Sequence, residues 1–137
     1  MLDTDHLSEI TRDSVIGRRL VERLDAASST VCLSIVAVEE QLRGRLSQIS
    51  RHRDLKSSLP VYYRLQLFLL ALSAWQIAPW TDRAVEIFEQ LSKDRLRVGT
   101  ADLKIASIAL AQNATLLSRN LRDFQRIPNL NVEDWLA

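Results

Sequence analysis

The sequence predicts an α/β fold, a mostly parallel sheet with helices on both faces. Short β-branched or apolar runs alternate along it with longer segments of helical periodicity, and strands joined by crossover helices pair in parallel. With only three glycines and three prolines and 47% apolar residues, the chain is compact and rich in helix rather than loop-rich or disordered. No repeat, low-complexity tract or Pro/Gly/Ser linker divides it, so residues 1–137 are expected to form one domain.

The strand candidates are Met1-Leu2, "TVCLSIVA" (Thr30–Ala37), "QIAPW" around Ile77, "ATLLS" (Ala114–Ser118) and "LNV" near Val132. Helices are expected between them. Val15–Leu24 places Val15, Ile16, Leu20, Val21 and Leu24 on one side and charges on the other. Residues 82–91 put Ala84, Ile87, Phe88 and Leu91 at i, i+3, i+4, i+7, with Thr81 as N-cap. Ala101–Gln112 reads as a mostly buried helix through Ile105, Ile108, Ala109 and Ala111. Leu59–Trp75 is apolar on two sides, one stripe being Leu65, Phe68, Leu69 and Leu72, the other Leu67, Leu70, Ala71 and Ala74. It is expected to be core, with one stripe available to cover a partner. Trp75, Trp80 and Trp135 are expected as packing aromatics.

Several classes of protein are disfavoured at once. The single cysteine, Cys32, cannot form an internal disulfide and reads as a buried core thiol. "MLDTDHLSEI" carries acids where a secretory signal would be basic and then apolar, and "LFLLALSAW" is about half the roughly 20 residues needed to cross a bilayer. A cytoplasmic protein without a membrane segment is expected. A net charge of +1 gives no global attraction to nucleic acid. Locally, Arg43 to Lys56 holds five Lys or Arg against one Asp. That stretch is either a solvated helix surface or a contact for RNA phosphates, with Arg43, Arg51 and Arg53 the candidates.

The stretch "LLSRNLRDF" passes from an apolar strand directly into Ser118, Asn120 and Asp123. In open parallel sheets, sites form beyond the carboxyl ends of strands. Asp3 follows the first strand, Glu39 and Glu40 are expected to open the helix after "CLSIV", and Asp102 opens that of "GTADLKIASIAL". With strand one central, Asp3, Glu40, Asp102 and Asp123 meet above one sheet edge. Each acid alone has a plain alternative: a first-turn carboxylate gains about 0.3–1 kcal/mol from the helix dipole, and Asp3 and Asp5 suit turns or caps. As a set they would repel one another unless a cation were present, and all-oxygen ligation selects Mg²⁺ or Mn²⁺. Such a site suits phosphodiester hydrolysis, and a receiver-type pocket or a phosphatase would look the same at this level. His6 and His52 have no partner recognisable in sequence, and neither is expected to be catalytic.

"LDTDHLS", "SIVAVEEQLRG" and "VGTADLKIASIALAQNATLLSRNLRDFQRIPNLNVEDW" resemble, in wording and order, the PIN-domain ribonucleases, specifically the VapC-like toxins of bacterial toxin–antitoxin pairs. The resemblance spans nearly the whole chain and is strongest over its last third. It implies a PIN-like three-layer α/β/α sandwich with a central mostly parallel sheet, and a Mg²⁺- or Mn²⁺-dependent endoribonuclease site. The family's acids fall on Asp3, Glu40, Asp102 and Asp123, as metal ligands and catalytic groups, with Glu39 pointing elsewhere. Asp5, Ser118 and Asn120 become supporting groups that orient ligands or water. A homodimer and a cognate antitoxin whose C-terminal segment covers the acidic pocket are also implied. Family members usually carry a few more residues ahead of Leu-Asp-Thr, so the first strand is expected to be clipped and Asp3 less firmly held. Two competing readings remain: an RNA-processing nuclease outside a toxin–antitoxin pair, and a PIN-like binding module without catalysis.

Overall fold

A computed structural model describes residues 1–27 and 30–137. Its sheet is parallel and its strands are short. β1 (Cys32–Ser34) pairs with β2 (Gln76–Ala78), and β3 (Leu116–Leu117) pairs with β4 (Val132–Glu133). Leu2 joins the two halves through parallel bridges to Leu33 and Leu117. The order across the sheet is therefore β2, β1, Leu2, β3, β4, with the start of the chain at its centre.

Period-two alternation along these strands builds a core on each face. Met1, Cys32 and Leu116 pack with Ile87, Leu91, Ile105, Ile108 and Phe124, whereas the next residue along each, Leu2, Leu33 and Leu117, packs with Leu7, Leu20, Leu24, Val38 and Phe68. The first core lies under α5 (Asp82–Lys93), α6 (Thr100–Ala111) and the short α7 (Leu121–Phe124); the second lies under α1 (Thr4–Thr11), α2 (Val15–Ala26), α3 (Ile35–Arg51) and α4 (Leu55–Leu72). This is the expected α/β/α sandwich.

The helices over 15–26, 82–93 and 100–111 agree with the periodicity, and Thr81 caps α5 by accepting from Ala84 N. The structure corrects three expectations. The strand through Thr30–Ala37 ends at Ser34, whose hydroxyl accepts from Ala37 N at 2.9 Å and starts α3. The β-branched Ile35 and Val36 thus lie in a helix, a local cap outweighing strand propensity, and Glu39 and Glu40 fall in its second turn. The polar segment Thr4–Thr11, given no element from sequence, is helical because Asp3 caps it. And α4 starts at Leu55 and buries only Val61 and Phe68, while Leu59, Tyr62, Tyr63, Leu67, Leu69 and Leu70 are exposed. The helix expected as core is an uncovered surface.

α1 and α2 cross at Gly17, where a Cβ would overlap the backbone carbonyl of Glu9, 2.6 Å from its carbon. Among the described residues, no helix is long and apolar enough to cross a membrane.

Candidate active site

Five elements deliver acidic or hydrogen-bonding groups to one edge of the sheet. Asp3 stands where the central strand ends and α1 begins; Ser118 follows β3; Asn120 precedes and Asp123 lies within α7; Asp102 is in the first turn of α6, and Glu40 in the second turn of α3. Neutral donors link the four acids. Asp3 accepts from Thr4 N and from Ser118 Oγ, both at 2.7 Å. Ser118 Oγ in turn accepts from Asn120 N at 3.0 Å. The Asn120 amide donates to Asp102 and to Asp123, each at 3.1 Å. Thr4 Oγ1 donates to Glu40, and Gln41 Nε2 donates to Thr4 O at 3.3 Å.

This charge is not offset from within the described chain. Among the described residues, none of the four acids makes an ion pair with Lys, Arg or His. Burial raises the Asp3 carboxyl from its ordinary value of 3.8 to about 6, with the hydrogen bonds from Ser118 and Thr4 opposing and Asp5 and Asp102 adding repulsion. Burial also raises Asp102, reinforced by Glu40 and Asp123 and opposed by the Asn120 amide. The acids repel one another in a poorly solvated place, a state that a bound cation relieves.

The donor set is all oxygen, which suits a hard divalent ion. Among the described residues, no three Asp, Glu, His or Cys side chains are gathered tightly enough to enclose an ion as they stand. Thr4, Ser118 and Asn120 sit between the carboxylates as spacers. That arrangement fits an ion of the Mg²⁺ kind, which keeps several waters and takes one or two carboxylates directly, better than a dehydrated one.

Asp3 is only 6% exposed and its backbone N–H also donates to Leu117 O at 2.9 Å, so it is firmly held despite the short strand before it. Asp5 lies beside the cluster and accepts from Arg119 N at 2.8 Å. Glu39 points away and pairs with Arg43 at 2.6 Å on the exposed face of α3. Arg51 and Arg53 are exposed at the far end of that helix, and at 1.5 Å per residue Arg51 lies about 16 Å along the axis from Glu40. Sequence reasoning missed Thr4, which was legible as the residue between two acids in "LDTD", and saw no partner for His6, whose ring meets neighbouring Asp5 and, across the chain, the Trp135 backbone N–H.

A protein-family model described as "PIN domain" matches residues 1–130. The chain belongs to the PIN domain family. Among curated relatives of this PIN domain, Ribonuclease VapC2 of Rickettsia felis is 31% identical over 114 residues, covering 80% of this chain and 78% of the relative. The tRNA(fMet)-specific endonuclease VapC of Salmonella typhimurium is 26% identical, covering 83% and 82%. Among solved structures, VapBC2 from Rickettsia felis bound to a DNA fragment from its promoter superposes with TM-score 0.73 at 28% identity, covering 98% of this chain and 97% of that one. DNA-bound VapBC from Salmonella typhimurium gives 0.77 at 25% identity, covering 98% and 96%.

Proposed function

We propose that this PIN domain is a divalent-metal-dependent endoribonuclease toxin, held inactive by a cognate antitoxin protein. The observation that carries the reading is the acidic network itself: four carboxylates brought from four separate elements to one sheet edge, with no ion-paired Lys, Arg or His among the described residues to balance them. The names of its relatives, ribonucleases and an endonuclease acting on a tRNA, point the same way.

Asp3 and Asp102, with Glu40, would hold Mg²⁺ or Mn²⁺ directly or through its waters, and Asp123 completes the negative pocket. A bound ion supplies Lewis-acid polarisation of the phosphoryl oxygen and lowers the pKa of an attacking water. The chain's own contribution is placement. Ser118 fixes one Asp3 oxygen and the Thr4 backbone N–H fixes the other, which sets the orientation of the carboxylate. The Asn120 amide ties Asp102 to Asp123, so the two carboxylates keep a set spacing, and Asp123 is available to orient the water. RNA phosphates would meet α3 at Arg51 and the loop after it at Arg53, and Arg43 when it leaves Glu39; such contacts fix register without reading sequence.

The antitoxin reading draws support from a groove of about 740 Å³ between α1, α3 and α4. Leu7, Leu67, Phe68 and Leu72 give it apolar surface, and Arg12, Arg45, Arg64 and Glu40 also line it. The Arg45 guanidinium lies 4.4 Å from the Phe68 ring centre, and its Nε has no hydrogen-bond partner among the described residues. An amphipathic partner segment with acidic residues suits the part of that surface lined by the arginines, and Glu40 is shared between the groove and the acidic cluster. Solved relatives are complexes of VapC with VapB.

The test is cleavage of total cellular RNA by the purified chain. Mg²⁺ or Mn²⁺ is expected to switch it on, and excess EDTA or co-purified antitoxin to stop it. No cleavage with either ion would remove the nuclease reading and leave a binding module.

A further inference from the structure

Behind the acidic cluster lies a buried histidine that the nuclease chemistry above does not use. His6 is fully buried, and both ring nitrogens are engaged. Its Nε2 accepts from the backbone N–H of Trp135 at 3.2 Å, 129 residues away. The proton of the neutral ring therefore sits on Nδ1, which donates to Asp5 Oδ1 at 2.8 Å. That same carboxyl oxygen accepts from His6 N at 2.6 Å, and the other, Oδ2, accepts from Arg119 N at 2.8 Å.

The path continues into the site. Arg119 stands between Ser118, which bonds Asp3, and Asn120, which bonds Asp102 and Asp123. Holding the Arg119 amide thus holds the loop that spaces three of the four acids. At its other end the C-terminal segment is fastened independently: Leu136 is buried in the second core, and the Arg23 guanidinium stacks 4.1 Å from the Trp135 ring centre. Among the described residues, His6 is the side chain bonded both to this anchored segment and to Asp5.

We propose that His6 is a positioning residue. It clamps Asp5 so that Asp5 can hold the Arg119 amide, and in this way it sets the Ser118–Asn120 loop against the acidic cluster. This rests on the nuclease reading of that cluster for its consequence in cleavage, but not for its consequence in structure. A residue that orients a ligating group typically changes metal affinity or activity by about 10- to 100-fold when lost.

Two substitutions separate positioning from mere packing. The amide nitrogen of Asn stands where Nδ1 does and can still donate to Asp5; that of Gln stands nearer to Nε2 and cannot. His6→Gln is expected to lower the RNA cleavage rate about 10- to 100-fold, and His6→Asn to recover it to within about threefold of wild type. In the Asp5→Ala background, His6→Gln is expected to cost nothing further, because residues acting through one another are not additive. Amide hydrogen exchange read by NMR reports the link without any cleavage: the Arg119 amide is expected to be protected in wild type and His6→Asn, and to exchange at least about tenfold faster in His6→Gln and Asp5→Ala. Equal losses in His6→Asn and His6→Gln, or additive losses with Asp5→Ala, would overturn the proposal. An Arg119 amide already unprotected in the wild type would overturn it whether or not the variants fold. If the wild type cleaves no RNA while the exchange pattern holds, the nuclease reading fails and the positioning role of His6 stands.

Discussion

Asp3→Asn is expected to abolish metal-dependent cleavage, by at least about 100-fold, and at the same time to make the protein more stable at neutral pH. The two effects have one cause. In the folded chain the Asp3 carboxyl titrates near 6, against 3.8 ordinarily, so between these values the native state keeps a proton that the unfolded chain has released. Stability contributed by this group is therefore present below about pH 4, falls as pH rises toward 6, and stays lost above it. At 1.36 kcal/mol per pH unit, the ionised Asp3 costs up to about 3 kcal/mol at pH 7. Asn removes the charge, and its carbonyl oxygen keeps the N-cap of α1 from Thr4 N, while its amide nitrogen faces Ser118 Oγ, which then accepts where it had donated. A gain of about 1–3 kcal/mol at pH 7.5, vanishing near pH 4, should appear in thermal unfolding without added metal. An Asn variant no more stable than wild type at pH 7.5 would mean that Asp3 is not under the electrostatic load described.

Gly17→Ala has the opposite sign. In an open helix the change gains about 1 kcal/mol through backbone propensity. At this position the new methyl would meet the Glu9 carbonyl, and backbone cannot step aside as a flexible side chain can. Overpacking of this kind costs about 1–3 kcal/mol and sometimes more, so α1 and α2 must part, and α1 carries Thr4 and Asp5 at its start. A net loss near 2 kcal/mol, or roughly 5–10 °C in Tm, is expected. At Gly44 on α3 an added methyl would meet nothing within 4 Å, and Gly44→Ala is the control, expected to be neutral or stabilising. Stabilisation at both positions would contradict the close α1–α2 crossing.

The parts of this molecule that sequence discloses are those whose physics is local. α5 is readable because Thr81 caps it and its apolar residues repeat with helical spacing, and α6 because its apolar content is continuous. The alternation that splits Leu116 from Leu117 into opposite cores is likewise two residues long. Candidate acids could be picked out because parallel sheets present their strand ends on one edge, which gives residues far apart in sequence a reason to meet. Elsewhere the deciding contact was distant or subtle. A single serine hydroxyl at Ser34 turns a β-branched run into helix, α1 depends on one Asp cap over a polar segment, and His6 is defined by a partner at Trp135. For α4 the sequence left two outcomes open, because apolar residues mark a surface to be covered, whether by the chain's own core or by a partner, and the structure leaves most of them exposed.

The nuclease chemistry we propose depends on the acidic edge binding a divalent ion. Crystals of the chain soaked in Mn²⁺ and measured at the manganese absorption edge test this most directly. The prediction is an anomalous peak contacting the carboxylates of Asp3 and Asp102, directly or through ordered water, and lost in Asp102→Asn. A saturating soak that leaves this edge empty, or places the ion only elsewhere, would contradict it.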